Sequence, residues 1–212
     1  MLIVAWEVTA ACNLSCGYCR ASASTRPDPQ ELSTEEALAF LDSIATLQPM
    51  IILSGGEPLL RPDIFQIARH AVSLNLRVSL ASNGTLLTPQ MADEIAACGI
   101  SRVSISLDGV TPEKHDRTRG SGSFQAAMQG LENLRGKVDF QINNTLTSKN
   151  EADVPLFFDL AQRVGARALH FFFLVATGRG REEDLISPER QEELLLEIDR
   201  ERARRSLEVQ VT

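Results

Sequence analysis

Apolar stretches of strand length recur at regular intervals along this chain, and a segment of helical period separates each from the next. The strand-like stretches are Ile3 to Thr9, Ile51 to Ser54, Arg77 to Ser82, Arg102 to Leu107, Asp139 to Thr145 and Ala168 to Leu174. The helical ones are Thr34 to Leu47, Asp63 to Leu74, Pro89 to Cys98, Ser123 to Leu134, Asp153 to Val164 and Pro188 to Arg204. Alternation of this kind builds a parallel α/β sheet, because each helix returns the chain across one face before the next strand is laid down. Six βα units in 212 residues are too few to close an eight-stranded barrel, so the expected fold is a partial (β/α)6, TIM-like barrel with its parallel sheet open on one side. Chemistry in such sheets collects at the C-terminal ends of the strands.

The boundaries carry their own signals. Ser33 with Glu36 forms a capping box, and Thr88 before Pro89 and Ser187 before Pro188 pair an N-cap with proline at the first helical position. Gly99 and Gly165 follow helices and suit the left-handed conformation that ends them. The tail, Ser206 to Thr212, reads as the start of one more strand, cut short before any closing element. Residues 27–30 and 178–184 read as loops, the second rich in glycine and charge, and loops of that kind often cover sites.

Composition narrows the partners. With 43% apolar and 23% charged residues the chain is globular in character. Its 21 basic residues against 28 acidic ones, a net charge of −7, argue against a nucleic-acid footprint, which needs surplus Lys and Arg. A small molecule or a peptide fits better. No window reaches the ~20 apolar residues that span a bilayer, so no membrane partner is expected. Three of the four cysteines fall within eight residues, which points to metal or redox chemistry in a reducing, cytoplasmic setting rather than to a disulfide scaffold.

The three are Cys12, Cys16 and Cys19, in ACNLSCGYC directly after the first strand. Three thiolates can hold three irons of a 4Fe-4S cubane and leave the fourth without a protein ligand, whereas clusters used only for electron transfer commonly have four. Two other readings exist. The same spacing would put a buried Cys stripe on one helix face, although Asn13 and Gly17 favour a loop. A zinc site would want a fourth nearby donor, and His70, His115 and His170 are all remote in sequence. Cys98 reads as a buried small hydrophobe.

The segment CNLSCGYC matches the CxxxCxΦC signature, with Tyr18 as the aromatic Φ, and so resembles the radical S-adenosylmethionine (SAM) superfamily. SGGEPLL after the second strand, ASNGTLL after the third and SISLDG after the fourth follow in the family's order. The resemblance implies a cluster on the three cysteines and SAM bound beside it by the Gly55-Gly56-Glu57 segment. It places Ser82 and Asn83 along the site and Ser106 and Asp108 near the ribose or substrate. The residues add local reasons: Gly55 and Gly56 permit close backbone approach, Glu57 can accept from an ammonium, and Arg119 can pair with a carboxylate. Asn143 or Asn144, of which alternation turns only one inward, and Leu174 with Val175 against adenine complete the expected contacts.

Within the superfamily, SISLDG, HDRTRGSGSF and FFFLVATGRGRE look most like the SPASM/twitch-type branch of alternative haem-biosynthesis, pyrroloquinoline-quinone maturation and anaerobic sulfatase-maturating enzymes. That implies a tetrapyrrole or peptide substrate, an electron donor such as a ferredoxin or flavodoxin, and a core over residues 1–205 with an extension beginning at 206–212. Members of that branch usually carry further cysteines for auxiliary clusters, and none follows Cys98 here. Methyl transfer, and a non-catalytic iron-sulfur redox-sensing module, are the competing functions.

Overall fold

The computed structural model describes residues 2–212, which form a single parallel sheet of seven strands in the order β1-β2-β3-β4-β5-β6-β7. The strands are β1 (Ile3–Thr9), β2 (Met50–Gly55), β3 (Arg77–Ser82), β4 (Arg102–Ser106), β5 (Phe140–Leu146), β6 (Ala168–Phe173) and β7 (Glu208–Val211). Every neighbouring pair is parallel, and β1 and β7 remain separate edges, so the barrel is open. The helices are α1 (Thr34–Ile44), α2 (Ile64–Ser73), α3 (Pro89–Ala97), α4 (Pro112–Arg119), α5 (Ser123–Leu134), α6 (Val154–Val164) and α7 (Pro188–Ala203).

Strand alternation sorts the residues between two faces. Ile51 and Leu53, Val78 and Leu80, Val103 and Ile105, and Leu169 and Phe171 are fully buried in the core shared with the helices. Each such side chain contributes about 1.5–3 kcal/mol of burial free energy. In α6 the apolar positions Val154, Phe157, Phe158, Ala161 and Val164 form one face, and Phe157 and Phe158 pack on Phe171 of β6 at ring-centroid distances of 6.2 and 5.9 Å. Many of the intervening strand positions are small or polar, among them Ser79, Ser104, Ser106, Gln141, Asn143 and His170, while Ile52 and Phe172 are bulky. A closed barrel fills this inner face with bulky branched side chains; here few of the positions carry them.

The caps form as their chemistry dictates. The Ser33/Glu36 capping box is complete, and the side chains of Thr88 and Ser187 accept from the backbone N–H groups of Met91 and Arg190. One feature departs from the linear reading. Helix α4 is not among the six helices expected: its sequence PEKHDRTR buries only His115 and so has no apolar period, although Thr111 before Pro112 is the same start device as Thr88 before Pro89. Of the residues beyond 205, Glu208–Val211 form β7, which pairs with β6 as the seventh strand of the sheet.

Candidate cofactor site

The ends of β1 and β2 set the base of the site. Beyond the last paired residues the two chains stay bonded, the N–H of Gly56 donating to the carbonyl of Thr9 and that of Glu57 to the carbonyl of Ala11, both at 2.7 Å. A Cβ on Gly55 or Gly56 would collide with the backbone of Thr9 or Ala11. The glycine requirement therefore arises from the neighbouring chain as well as from any ligand: it seats the root of the cysteine loop.

That loop has little regular structure of its own and is shaped by three outside supports. The N–H of Gly17 donates to the carbonyl of Thr118 in α4 at 2.9 Å. Beyond β3, Asn83 Nδ2 donates to Asn13 Oδ1 at 2.9 Å and lies 3.9 Å from Cys12 Sγ, while Asn13 Nδ2 donates to Thr85 Oγ1 at 2.8 Å. From the connection after β6, Arg179 Nε donates to the carbonyl of Cys16 at 2.8 Å and Nη1 to that of Ala23 at 3.0 Å. The sulfurs also receive backbone donors, Leu14 N–H to Cys12 and Ala23 N–H to Cys19, each at 3.4 Å.

The three thiols line one cavity of about 600 Å³ at the C-terminal ends of the strands, a size that suits a cofactor-sized ligand. Tyr18, Gly55, Gly56, Ser82, Asn83, Ser106, Arg119 and Leu174 share its wall, as does Val175. None of its lining residues is a histidine, so the zinc reading finds no fourth nitrogen donor there. Among the described residues no three of His, Cys, Asp and Glu gather as ligands of one ion; a cubane asks each thiolate to reach a different iron.

Three residues expected at the cofactor stand behind this wall. Glu57 is fully buried, and its carboxylate accepts from Asn83 N–H at 2.7 Å, Ser82 Oγ at 2.9 Å and Leu59 N–H at 3.2 Å, so it ties the end of β2 to that of β3. Burial pushes its carboxyl upward, against these three donors. Asp108 accepts from Thr145 N–H at 2.9 Å and pairs with Arg119, leaving its side chain 1% exposed. Asn143 is engaged by Gln141 Nε2 at 2.7 Å and does not reach the cavity; Asn144 is buried on the opposite face, bonded to the Leu107 carbonyl at 2.9 Å. Thr145, the next residue of β5 on the face of Asn143, lines the cavity in its place.

The electrostatics centre on Arg119. Burial opposes its charge, but Asp108, Tyr18 and Cys16 together outweigh the burial, so its pKa lies above the ordinary range. Nη1 lies 3.9 Å from Cys16 Sγ. Burial pushes the thiols of Cys12 and Cys16 up, with Arg119 pulling the other way at Cys16. The Tyr18 hydroxyl is sealed next to Asp108 and Arg119 without a well-formed hydrogen bond. Thr145, Phe172 and Arg179 are cavity residues that linear reading missed; only Arg179 carried a signal, as part of a Gly-rich loop.

The family model for the Radical SAM superfamily matches residues 6–161. The chain belongs to the radical SAM superfamily. Radical SAM proteins bind a 4Fe-4S cluster and SAM, and the donor set here suits both: three thiols around one cavity, with a buried cation and small polar side chains beside them. Its relatives lie in the SPASM/twitch-type branch. The chain is 48% identical over 197 residues to an AdoMet-dependent heme synthase of Methanosarcina barkeri, covering 91% of this chain and 56% of the relative. It is 38% identical over 182 residues to the mycofactocin maturase MftC of Mycobacterium tuberculosis, covering 84% and 46%. The fold matches that of SuiB of Streptococcus suis, solved with S-adenosylmethionine, at a TM-score of 0.83 and 16% identity, over all of this chain and 50% of that one. The radical SAM chain thus spans about half the length of the curated relatives it matches.

Proposed function

We propose that this radical SAM chain is the radical-generating part of an enzyme that modifies an iron-bearing tetrapyrrole of the haem type. The observation that carries the reading is the single cavity on which Cys12, Cys16 and Cys19 meet the ends of β2, β3, β4 and β6. A cluster held there would supply, once reduced, one electron for cleavage of SAM to methionine and a 5′-deoxyadenosyl radical able to abstract hydrogen from a substrate. The chain's own part is to bind, orient and shield. Cys12, Cys16 and Cys19 hold the cluster; Gly55, Gly56, Ser82 and Asn83 border the SAM side; Arg119 offers a cation to a carboxylate; Ser106 lies toward the ribose. Phe172, Phe173 and Leu174 form an apolar wall that excludes water from reactive species and suits a flat aromatic ligand.

A tetrapyrrole is preferred to a peptide because identity to the haem-forming relative is 48%, against 38% for the peptide-modifying maturase. A small electron-carrier protein such as a ferredoxin or flavodoxin would reduce the cluster. No helix of the described residues is long and apolar enough to cross a membrane, and a cytoplasmic setting fits the oxygen-sensitive chemistry.

The test is anaerobic reconstitution with iron and sulfide, then dithionite and SAM. Release of 5′-deoxyadenosine, lost in Cys16→Ala, is the expected result. S-adenosylhomocysteine as the product would indicate methyl transfer, and a bound cluster that leaves SAM intact would overturn the enzyme reading in favour of a sensor. Adding an iron porphyrin bearing carboxylate side chains should change its visible absorption in step with 5′-deoxyadenosine release. A peptide that couples turnover where the porphyrin does not would overturn the substrate choice.

A further inference from the structure

The connection after β6 lies against the cysteine loop far more closely than a covering loop requires. Gly178, at φ +58°, sits so near the chain that a Cβ there would collide with the carbonyl oxygens of Cys19 and Arg20. The next residue then makes three bonds to that loop. Arg179 N–H donates to the carbonyl of Cys19 at 3.0 Å, its Nε to that of Cys16 at 2.8 Å, and its Nη1 to that of Ala23 at 3.0 Å. Two of the three acceptors belong to expected cluster ligands.

The base of the loop is closed by Cys12 N–H to the Ser24 carbonyl at 2.7 Å, but around Cys16 and Cys19 it offers little resistance of its own. There its backbone–backbone bonds are Cys19 N–H to the Cys16 carbonyl at 3.3 Å and Ser22 N–H to the Cys19 carbonyl at 3.2 Å, both longer than the usual N–H···O distance. Ser22 is held at φ +49°, a conformation a non-glycine residue adopts only when its surroundings enforce it. A planar guanidinium whose donors fork to two carbonyls fixes both distance and direction between them, which a lysine's single ammonium does not. Arg179 Nη2 is buried with no hydrogen-bond partner, and the residue borders the cavity. One donor of a cation at the cavity wall is therefore spare for an acceptor that arrives with a ligand.

We propose that Arg179 is a positioning residue for the cluster: it holds Cys16 and Cys19 in their ligating arrangement from a point 163 residues beyond Cys16 in sequence. This rests on the reading that those cysteines carry the cluster. Groups that orient metal ligands typically cost 10–100-fold in metal affinity when removed, so the effect should be large although Arg179 is not itself a ligand.

The experiment compares the wild-type chain with Arg179→Lys, Arg179→Met and, as a control on the underlying reading, Cys16→Ala. Three quantities are measured: circular dichroism of the cluster-free chains, iron release to a chelator after reconstitution, and the electron paramagnetic resonance spectrum of the reduced cluster with and without SAM. The expected result is native circular dichroism with iron release about tenfold faster or more in Arg179→Met, an intermediate rate in Arg179→Lys, and an altered reduced spectrum in both. Wild-type release and spectrum in either variant would overturn the assignment. So would unfolding of both cluster-free variants, which would make Arg179 a prop of the whole fold. A wild-type chain that takes up no cluster, or a Cys16→Ala chain that keeps one intact, would instead defeat the cluster reading.

Discussion

Replacing Glu57 separates two roles for the residue after the paired glycines. As a ligand to SAM its loss would weaken SAM binding and leave the empty chain untouched; as an acceptor buried between β2 and β3 its loss must weaken the fold itself. The geometry supports the second, with Oε1 taking Leu59 N–H and Ser82 Oγ and Oε2 taking Asn83 N–H. In Glu57→Gln the amide can keep the Oε1 pair only by turning its NH2 toward Asn83 N–H, leaving one buried donor unsatisfied at a cost of about 1–3 kcal/mol. For a chain of this length about 2 kcal/mol lowers Tm by roughly 4–8 °C. Glu57→Ala strands all three donors and should cost about 4 kcal/mol, partly offset because no carboxylate is buried any longer. The assay is thermal and urea unfolding of the cluster-free chain, followed by SAM binding to the reconstituted one. Unchanged unfolding in both variants, with weakened SAM binding, would refute the reasoning and restore Glu57 to the cofactor.

Gly56→Ala puts a Cβ against the Ala11 carbonyl, next to Cys12, and is expected to cost at least about 2 kcal/mol and to impair cluster loading; iron content and urea unfolding check both. Phe171→Ala opens a cavity under Phe157 and Phe158 and should destabilise by about 3–5 kcal/mol, read from the urea midpoint at unchanged slope. His115 is fully buried, and burial pushes its imidazole down to about 4 from an ordinary value near 6.5. The unfolded chain therefore binds the proton first, and stability should fall as pH drops from about 6.5 to about 4, by roughly 3 kcal/mol in all. His115→Gln should flatten that slope when unfolding is followed across the interval; an equally steep slope would show that other groups carry it.

The βα alternation, the helix starts at Thr34, Pro89 and Pro188, and the cysteine loop after β1 were all legible along the chain, since periodicity, capping and residue spacing are local properties. Helix α4 was not legible, because a polar helix held by its ends and one buried His115 leaves no apolar period. Nor was the choice between Asn143 and Thr145 at the cavity: residues of one strand face differ in how far they stand toward the strand end, and only register against β4 and β6 sets that. Glu57 and Arg179 make the same point from opposite sides. The chemistry of each side chain was plain from its type, but a carboxylate can face a ligand or brace two strand ends, and an arginine can lie in solvent or span two carbonyls. What separates these outcomes is the approach of segments 25 to 163 residues apart, a distance that no local pattern encodes and that packing of the sheet and its helices sets.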